Sequence, residues 1–220
     1  DLNKIVDSHC HLDFKDFDSD RDKIVNNAKL TNVDYLLTIS VNLEDFEKVH
    51  EVTQNYENIW CTTGIHPNNV SSEPDTIQLD DIQNRISENL KNKKVVGLGE
   101  TGLDFFRGKK NRTNQIESFM LHLFLSGKKK YPTIVHTRDA DNDTINCLNE
   151  SVKKYSSTGL IHCFTSTKQF AKKALDNGFY ISFSGIITFK NAIDLVDVVK
   201  YVPTDKLLVE TDSPYLAPVP

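Results

Sequence analysis

Short apolar runs rich in β-branched residues recur along the chain, at positions 5–9, 35–39, 60–64, 95–100, 133–136, 159–162, 179–183 and 207–212. Each has the length and composition of a buried strand. Between them, apolar residues fall at helical spacing: Leu79, Ile82, Ile86 and Leu90 in one stretch, and Ile145, Leu148, Val152 and Tyr155 in another. Gly178 stands where a glycine would close a helix begun at Lys168, and Pro203 stops one begun at Asn191. Eight strands alternating with helices predict an α/β fold, a TIM (β/α)8 barrel formed as a single domain over residues 1–220. A doubly wound open sheet would carry a Gly-rich first loop, and none follows Ile5–Ser8. No helical pattern follows Glu210-Thr211-Asp212-Ser213, so the last helix of the barrel is expected to be missing here. The natural chain is therefore expected to continue past Pro220.

Composition narrows the class. With 220 residues, 38% apolar and 26% charged, the chain has material for a core and is too apolar for a disordered protein. No run of about eighteen apolar residues offers a membrane span, and Asp1-Leu2-Asn3-Lys4-Ile5 lacks a signal-peptide pattern. A formal charge of −5 argues against wholesale electrostatic capture of nucleic acid. A bound cation can reverse the field inside a cleft, so a nuclease stays open. Cys10, Cys61, Cys147 and Cys163 show no CxxC spacing and read as reduced thiols of a cytoplasmic protein. Nothing in the sequence calls for an obligate protein partner.

The chemistry-bearing residues share one position in each unit. His9 and His11 end the first run, His66 follows the third within Gly64-Ile65-His66-Pro67, and Glu100 ends the fourth. His136 ends the fifth, His162 the sixth and Asp212 the eighth. In a barrel all these ends open onto one face, where active sites are built. His9 and His11 stand two apart, so on an extended segment both imidazoles point the same way. Each histidine alone suits a surface turn or a hydrogen-bonded core position. Together with two carboxylates at corresponding strand ends, they read as a metal site. Mixed imidazole and carboxylate donors suit Zn²⁺, Mn²⁺, Fe or Mg²⁺, and six ligands exceed one tetrahedral site. Glu100, on a central strand, is the candidate to bridge a pair of ions suited to phosphoryl displacement.

Six segments in order, Asp7-Ser8-His9-Cys10-His11-Leu12-Asp13, Gly64-Ile65-His66-Pro67, Gly99-Glu100-Thr101-Gly102-Leu103-Asp104-Phe105, Ile134-Val135-His136-Thr137-Arg138-Asp139-Ala140, His162-Cys163-Phe164 and Glu210-Thr211-Asp212-Ser213-Pro214-Tyr215-Leu216-Ala217-Pro218, closely resemble the TatD family of metal-dependent deoxyribonucleases, within the amidohydrolase superfamily. Thr101 departs from the aliphatic residue usual there, outside the ligand set. The resemblance implies a TIM barrel holding one or two divalent ions, Mg²⁺ in the cell, with Mn²⁺ or Zn²⁺ as alternatives. It implies His9, His11 and Asp212 at the first ion, His136 and His162 at the second, and Glu100 between them. The implied activity is cleavage of phosphodiester bonds at DNA ends, or RNA ends, as a cytoplasmic 3′→5′ exonuclease using a metal-bound hydroxide. The competing activity is hydrolysis of a C–N or ester bond in a small molecule or aminoacyl group.

Other residues carry two readings. His66 either contacts a phosphate or protonates a leaving oxygen, or else packs under the rim. Arg138 either grips a phosphate or pairs with Asp139 or Asp141. Asp104 and Glu210 either orient ligand histidines or serve as a cap and a wall residue. Phe105 and Phe106 either stack a base or fill the core. Lys109, Lys110 and Arg112, and Lys128-Lys129-Lys130, read as solvated faces. Cys10 and Cys163, by strand alternation, point away from the metals. As the catalytic set the sequence offers Asp212, Glu100 and His66.

Overall fold

The computed structural model describes residues 4–71, 77–106 and 111–220. Eight strands form one parallel sheet in chain order: β1 (Ile5–Cys10), β2 (Val33–Thr38), β3 (Ile59–Thr63), β4 (Val95–Asp104), β5 (Thr133–Arg138), β6 (Gly159–Ile161), β7 (Tyr180–Phe183) and β8 (Leu207–Val209). Seven helices among the described residues alternate with them: α1 (Arg21–Leu30), α2 (Phe46–Gln54), α3 (Leu79–Asn89), α4 (Arg112–Lys129), α5 (Asp141–Tyr155), α6 (Lys168–Asp176) and α7 (Ile193–Tyr201). This is the expected TIM barrel. Gly178 follows α6 with a φ of +82°, and Pro203 follows α7, as their positions in the sequence predict.

Strand alternation sorts side chains into a helix-facing layer and an interior layer. Val135 of β5 and Ile161 of β6 pack among Phe119 and Leu123 of α4, Leu148 of α5 and Phe170 of α6. Their neighbours Ile134 and Leu160 face inward and meet Ile39, Leu37 and Leu208 in a small apolar plug. Two residues beyond Ile134, Leu160 and Leu208 come His136, His162 and Glu210. The same period that builds the plug thus lifts polar groups one layer above it, onto the mouth.

Most strand ends shift from the sequence expectation, and three of these shifts bear on the site. β4 continues past Glu100 to Asp104, whereas β6 and β8 stop at Ile161 and Val209, short of His162 and Asp212. In β4, Gly102 has a φ of +138°, and a β-carbon there would lie 2.0 Å from the carbonyl oxygen of His136. Only glycine lets β4 run on so close to β5. Beyond β6 and β8, Cys163 and Asp212 take φ values of +43° and +58°, which turn the chain out of extended geometry.

The ring closes between β8 and β1 largely through one side chain. Asp7 Oδ1 accepts from the Thr211 amide at 2.9 Å and the His9 amide at 3.2 Å, and Oδ2 accepts from the Thr211 hydroxyl at 2.7 Å. Backbone bonds from Asp212 N to His9 O (2.8 Å) and from His11 N to Ser213 O (2.9 Å) complete the seam. Burial lifts the Asp7 carboxyl to about 6 in spite of these donors. Asp7→Ala strands all three donors, and its expected cost is about 3 kcal/mol of stability in urea unfolding. A loss below about 0.5 kcal/mol would show that the seam is held elsewhere.

A second buried group supports the loop after β3. His122, on the inward face of α4, donates from Nδ1 to the Ser118 carbonyl at 2.7 Å and accepts from the Ile65 amide at Nε2, 3.3 Å away. Burial pushes this ring down to about 4. The unfolded chain takes up a proton below about 6.5, and the folded chain does so only near 4. The contribution is therefore complete above pH 6.5 and lost as pH falls toward 4, by about 3 kcal/mol. His122→Gln should flatten that part of the stability–pH curve; an unchanged acid limb would refute this assignment.

Candidate metal centre

At the mouth of the barrel a cavity of about 590 Å³ is lined by His11, His66, Glu100, His136, His162 and Asp212, with Arg138, Phe14 and Tyr215 on its walls. Glu100 sits at its floor with only 4% of its side chain exposed. Its two oxygens face different groups. Oε1 lies 2.9 Å from His162 Nε2, 3.1 Å from His136 Nδ1 and 3.4 Å from His66 Nε2. Oε2 lies 3.4 Å from His9 Nε2. On that side His9 Nε2 and His11 Nε2 are 3.3 Å apart, and Asp212 Oδ1 is 3.5 and 3.4 Å from them. All six positions expected as ligands, and His66, therefore converge, drawn from β1 and the residue after it, the β3–α3 loop, β4, β5 and the segments after β6 and β8.

Outer hydrogen bonds fix which nitrogen of His11, His136 and His162 faces inward. His11 presents Nδ1 to the Ile39 carbonyl at 3.4 Å. His136 presents Nε2 to Asp104 Oδ2 at 3.3 Å, and His162 presents Nδ1 to Glu210 Oε1 at 3.2 Å. Each of these outer nitrogens bonds best when it carries the ring proton, which leaves a lone pair directed into the cavity. His66 is wired the opposite way. Its Nδ1 accepts from the Asn68 amide at 3.0 Å, so in the neutral ring Nε2 holds the proton and aims it at Glu100. His66 is thus a donor into the cavity, while the other histidines offer lone pairs.

Burial alone would neutralise Glu100. The charges of His162 and His66 and the bonds from His136 and His162 outweigh it and hold the carboxyl well below its usual range. The same pairing lifts His162 far above 6.5 against burial, with Glu100 and Glu210 responsible. His136 and His11 rise for the same reason, His136 through Asp104 and Glu100 and His11 through Asp212. Fully buried His9 goes down, through desolvation and its neighbour His162. Positive charge is what this cavity demands. Donors 2.0–2.2 Å from a shared tetrahedral ion lie about 3.4 Å apart, and the spacings across the cavity run from 2.9 to 3.5 Å. His9, His11 and Glu100 form one group whose donor atoms all lie within 4.8 Å, and His136 and His162 meet the other Glu100 oxygen at 3.1 and 2.9 Å. These residues fit divalent cations.

The remaining candidates divide. Asp104 is buried and also accepts from Asn68 Nδ2 at 3.2 Å and the Phe106 amide at 3.1 Å, so it braces both His136 and the His66 loop. Phe105 is buried in the core, whereas Phe106 is exposed and carries the Arg138 guanidinium 3.8 Å above its ring. Arg138 therefore stands beside the cavity on an aromatic support and not on Asp139 or Asp141. Arg112 pairs with Asp143 at 2.6 Å, Lys128, Lys129 and Lys130 are solvated at the far end of α4, and Lys109 and Lys110 lie outside the described residues. Cys10 turns away, its thiol on the Leu37 carbonyl at 3.4 Å. Cys163 borders the cavity, with its thiol 3.3 Å from the Ser184 hydroxyl. Sequence reasoning passed over Asn68 and His122. The spacing of His122 from Phe119, Leu123 and Ser126 on the buried face of α4 was the available signal.

A larger groove of about 1140 Å³ shares Thr137, Arg138, Thr165 and Ile186 with the cavity and runs toward α7 between Asp139, Asp141, Asp143, Asp194 and Asp197. Its acidic walls set it apart from the histidine-rich mouth.

Residues 6–220 match the family described as TatD related DNase. The chain is 42% identical over 219 residues to the metal-dependent hydrolase YcfH of Escherichia coli K12, covering 98% of this chain and 80% of that protein. It is 30% identical to the 3′-5′ ssDNA/RNA exonuclease TatD of Cronobacter sakazakii, over 97% of this chain and 80% of that one. The crystal structure of the TatD homologue YJJV from Escherichia coli K12 superposes with a TM-score of 0.87 at 25% identity, covering all of this chain and 83% of the other. With the barrel, the donor cluster and these relatives in agreement, the chain belongs to the TatD family and is a metal-dependent hydrolase.

Proposed function

We propose that the protein is an exonuclease that removes nucleotides from the 3′ end of single-stranded nucleic acid, DNA above all, with divalent ions as cofactors. The observation that carries this reading is Glu100, which offers one oxygen to each of two donor groups while the proton-bearing nitrogen of His66 faces the same space. His9, His11 and Asp212 would hold one ion and His136 and His162 the other, with Glu100 common to both. When bound, such a pair lowers the pKa of a water and neutralises phosphate oxygens.

The chain's own groups supply the rest. Asp212, kept ionised against burial by the His11 bond and by neighbouring imidazoles, accepts the proton of the attacking water. His66 holds its proton at Nε2 and delivers it to the departing 3′ oxygen. Arg138, fixed on Phe106, offers a guanidinium to a phosphate at the rim. The strand would enter on the Phe14 and Tyr215 side, because the acidic groove that begins beyond Arg138 repels a phosphate backbone.

The reading is tested with end-labelled single- and double-stranded DNA and RNA, incubated with Mg²⁺, Mn²⁺ or Zn²⁺ and sized on a gel. Stepwise shortening from the 3′ end of single strands is expected. Activity confined to amides or carboxylic esters would replace it with the small-molecule reading. Asp212→Asn should lower kcat a hundredfold or more, within the range of about 10²–10⁴ for general-base help. Near-native kcat in that variant would remove Asp212 from the role. His66→Ala should lose less on a phosphodiester carrying a good leaving group than on DNA, and an equal loss on both would deny it proton donation.

A further inference from the structure

We infer that Glu210 is a positioning residue that serves both donor groups at once, and so couples occupancy of the two ion positions. This rests on the metal-centre reading above. Glu210 lies behind His162 with none of its side chain exposed. Its Oε1 accepts from the Cys163 amide at 2.8 Å and meets His162 Nδ1 at 3.2 Å, and Ser182 steadies the same carboxylate. No hydrogen bond of ordinary geometry reaches its other oxygen, Oε2. Nearby, His9 Nδ1 is buried and equally without a partner. A ring nitrogen of His9, one of His162 and a carboxylate oxygen of Glu210 lie within 4.8 Å of one another.

Ring geometry says which nitrogens these are. The His9 and His162 rings stack 3.9 Å apart and only 9° from parallel. Both send Nε2 toward Glu100, at 3.4 and 2.9 Å, so both turn the Nδ1 edge the other way, toward Glu210. A neutral imidazole has one lone pair and one N–H. If these rings give Nε2 lone pairs to ions at the mouth, both Nδ1 atoms carry protons, and a buried carboxylate with two oxygens is their natural acceptor. An ion held among His9, His162 and Glu210 instead would need the Nδ1 lone pairs and would leave the mouth without them. The two unpartnered atoms are thus the two ends of one hydrogen bond that closes when His9 is fixed on its ion. His9 belongs to one donor group and His162 to the other. Asp104, by contrast, stands behind His136, a member of one donor group.

Mn²⁺ alone is the probe, titrated calorimetrically and followed by electron paramagnetic resonance, where an exchange-coupled pair is distinct from isolated ions. Wild-type protein is expected to take two Mn²⁺ and show the coupled signal. Glu210→Gln keeps the size but offers one acceptor and one donor, which forces one ring into the wrong tautomer. It should weaken both ion positions, each by 10–100-fold, and abolish the coupled signal, whereas Asp104→Asn should weaken one position only. Glu210→Gln that weakens one position and leaves the other within twofold, or that leaves both unchanged, overturns the inference. If Glu210→Gln does not fold, Glu210→Asp is read in the same way. Wild-type protein that takes no Mn²⁺ would overturn the metal-centre reading itself, a result distinct from any variant effect.

Discussion

An ionised carboxylate enclosed on all sides costs several kcal/mol unless positive charge surrounds it, and Glu100 imposes that condition on this barrel. Four histidines from separate segments meet its two oxygens within 3.4 Å. No single helix or hairpin could bring so many rings to one atom pair. A closed ring of parallel strands can, because its strand ends all open onto one face. The architecture and the charge cluster therefore require each other: the barrel gathers the rings, and the rings make a buried Glu100 tolerable.

Stability and chemistry occupy successive layers. Ile134, Leu160, Leu208 and Ile39 fill the interior below, where apolar packing contributes about 1.5–3 kcal/mol for each fully buried side chain. Above them sit His136, His162 and Glu210, whose burial is costly and is offset only by pairing. The pairing is reciprocal in the donor set, since Asp104 and Glu210 stand behind the histidines that face Glu100. The His66 loop is held from two sides, by Asn68 on Asp104 and by His122 beneath Ile65.

Most of this frame was legible in the chain. Alternation in the eight apolar runs places Ile134 below His136 and Leu160 below His162, so a period of two carries both the core and the cluster. Histidines and carboxylates at corresponding strand ends pointed to one cavity, and the structure brings them together. What the sequence hides depends on backbone direction. The exit of the chain at Cys163 and Asp212 needs left-handed φ values that neither residue announces. Ring tautomers are equally hidden, because they follow from partners such as Asn68, Ile39 and Glu210, far away or on the backbone. His122 looks like any residue of a helical stripe until the Ile65 amide is seen to end on it.

The seam between β1 and β8 has a consequence for biosynthesis. His9 and His11 precede Glu210 and Asp212 by some two hundred residues, so they leave the ribosome well before them. Chains fold as they are made, N-terminal parts first. A nascent chain that has not yet docked β8 has an open ring and an unfinished donor cluster, with Asp7 lacking its Thr211 partners. The last members of the donor cluster thus arrive in the same event that seals the barrel, which makes the finished site a marker of completed folding.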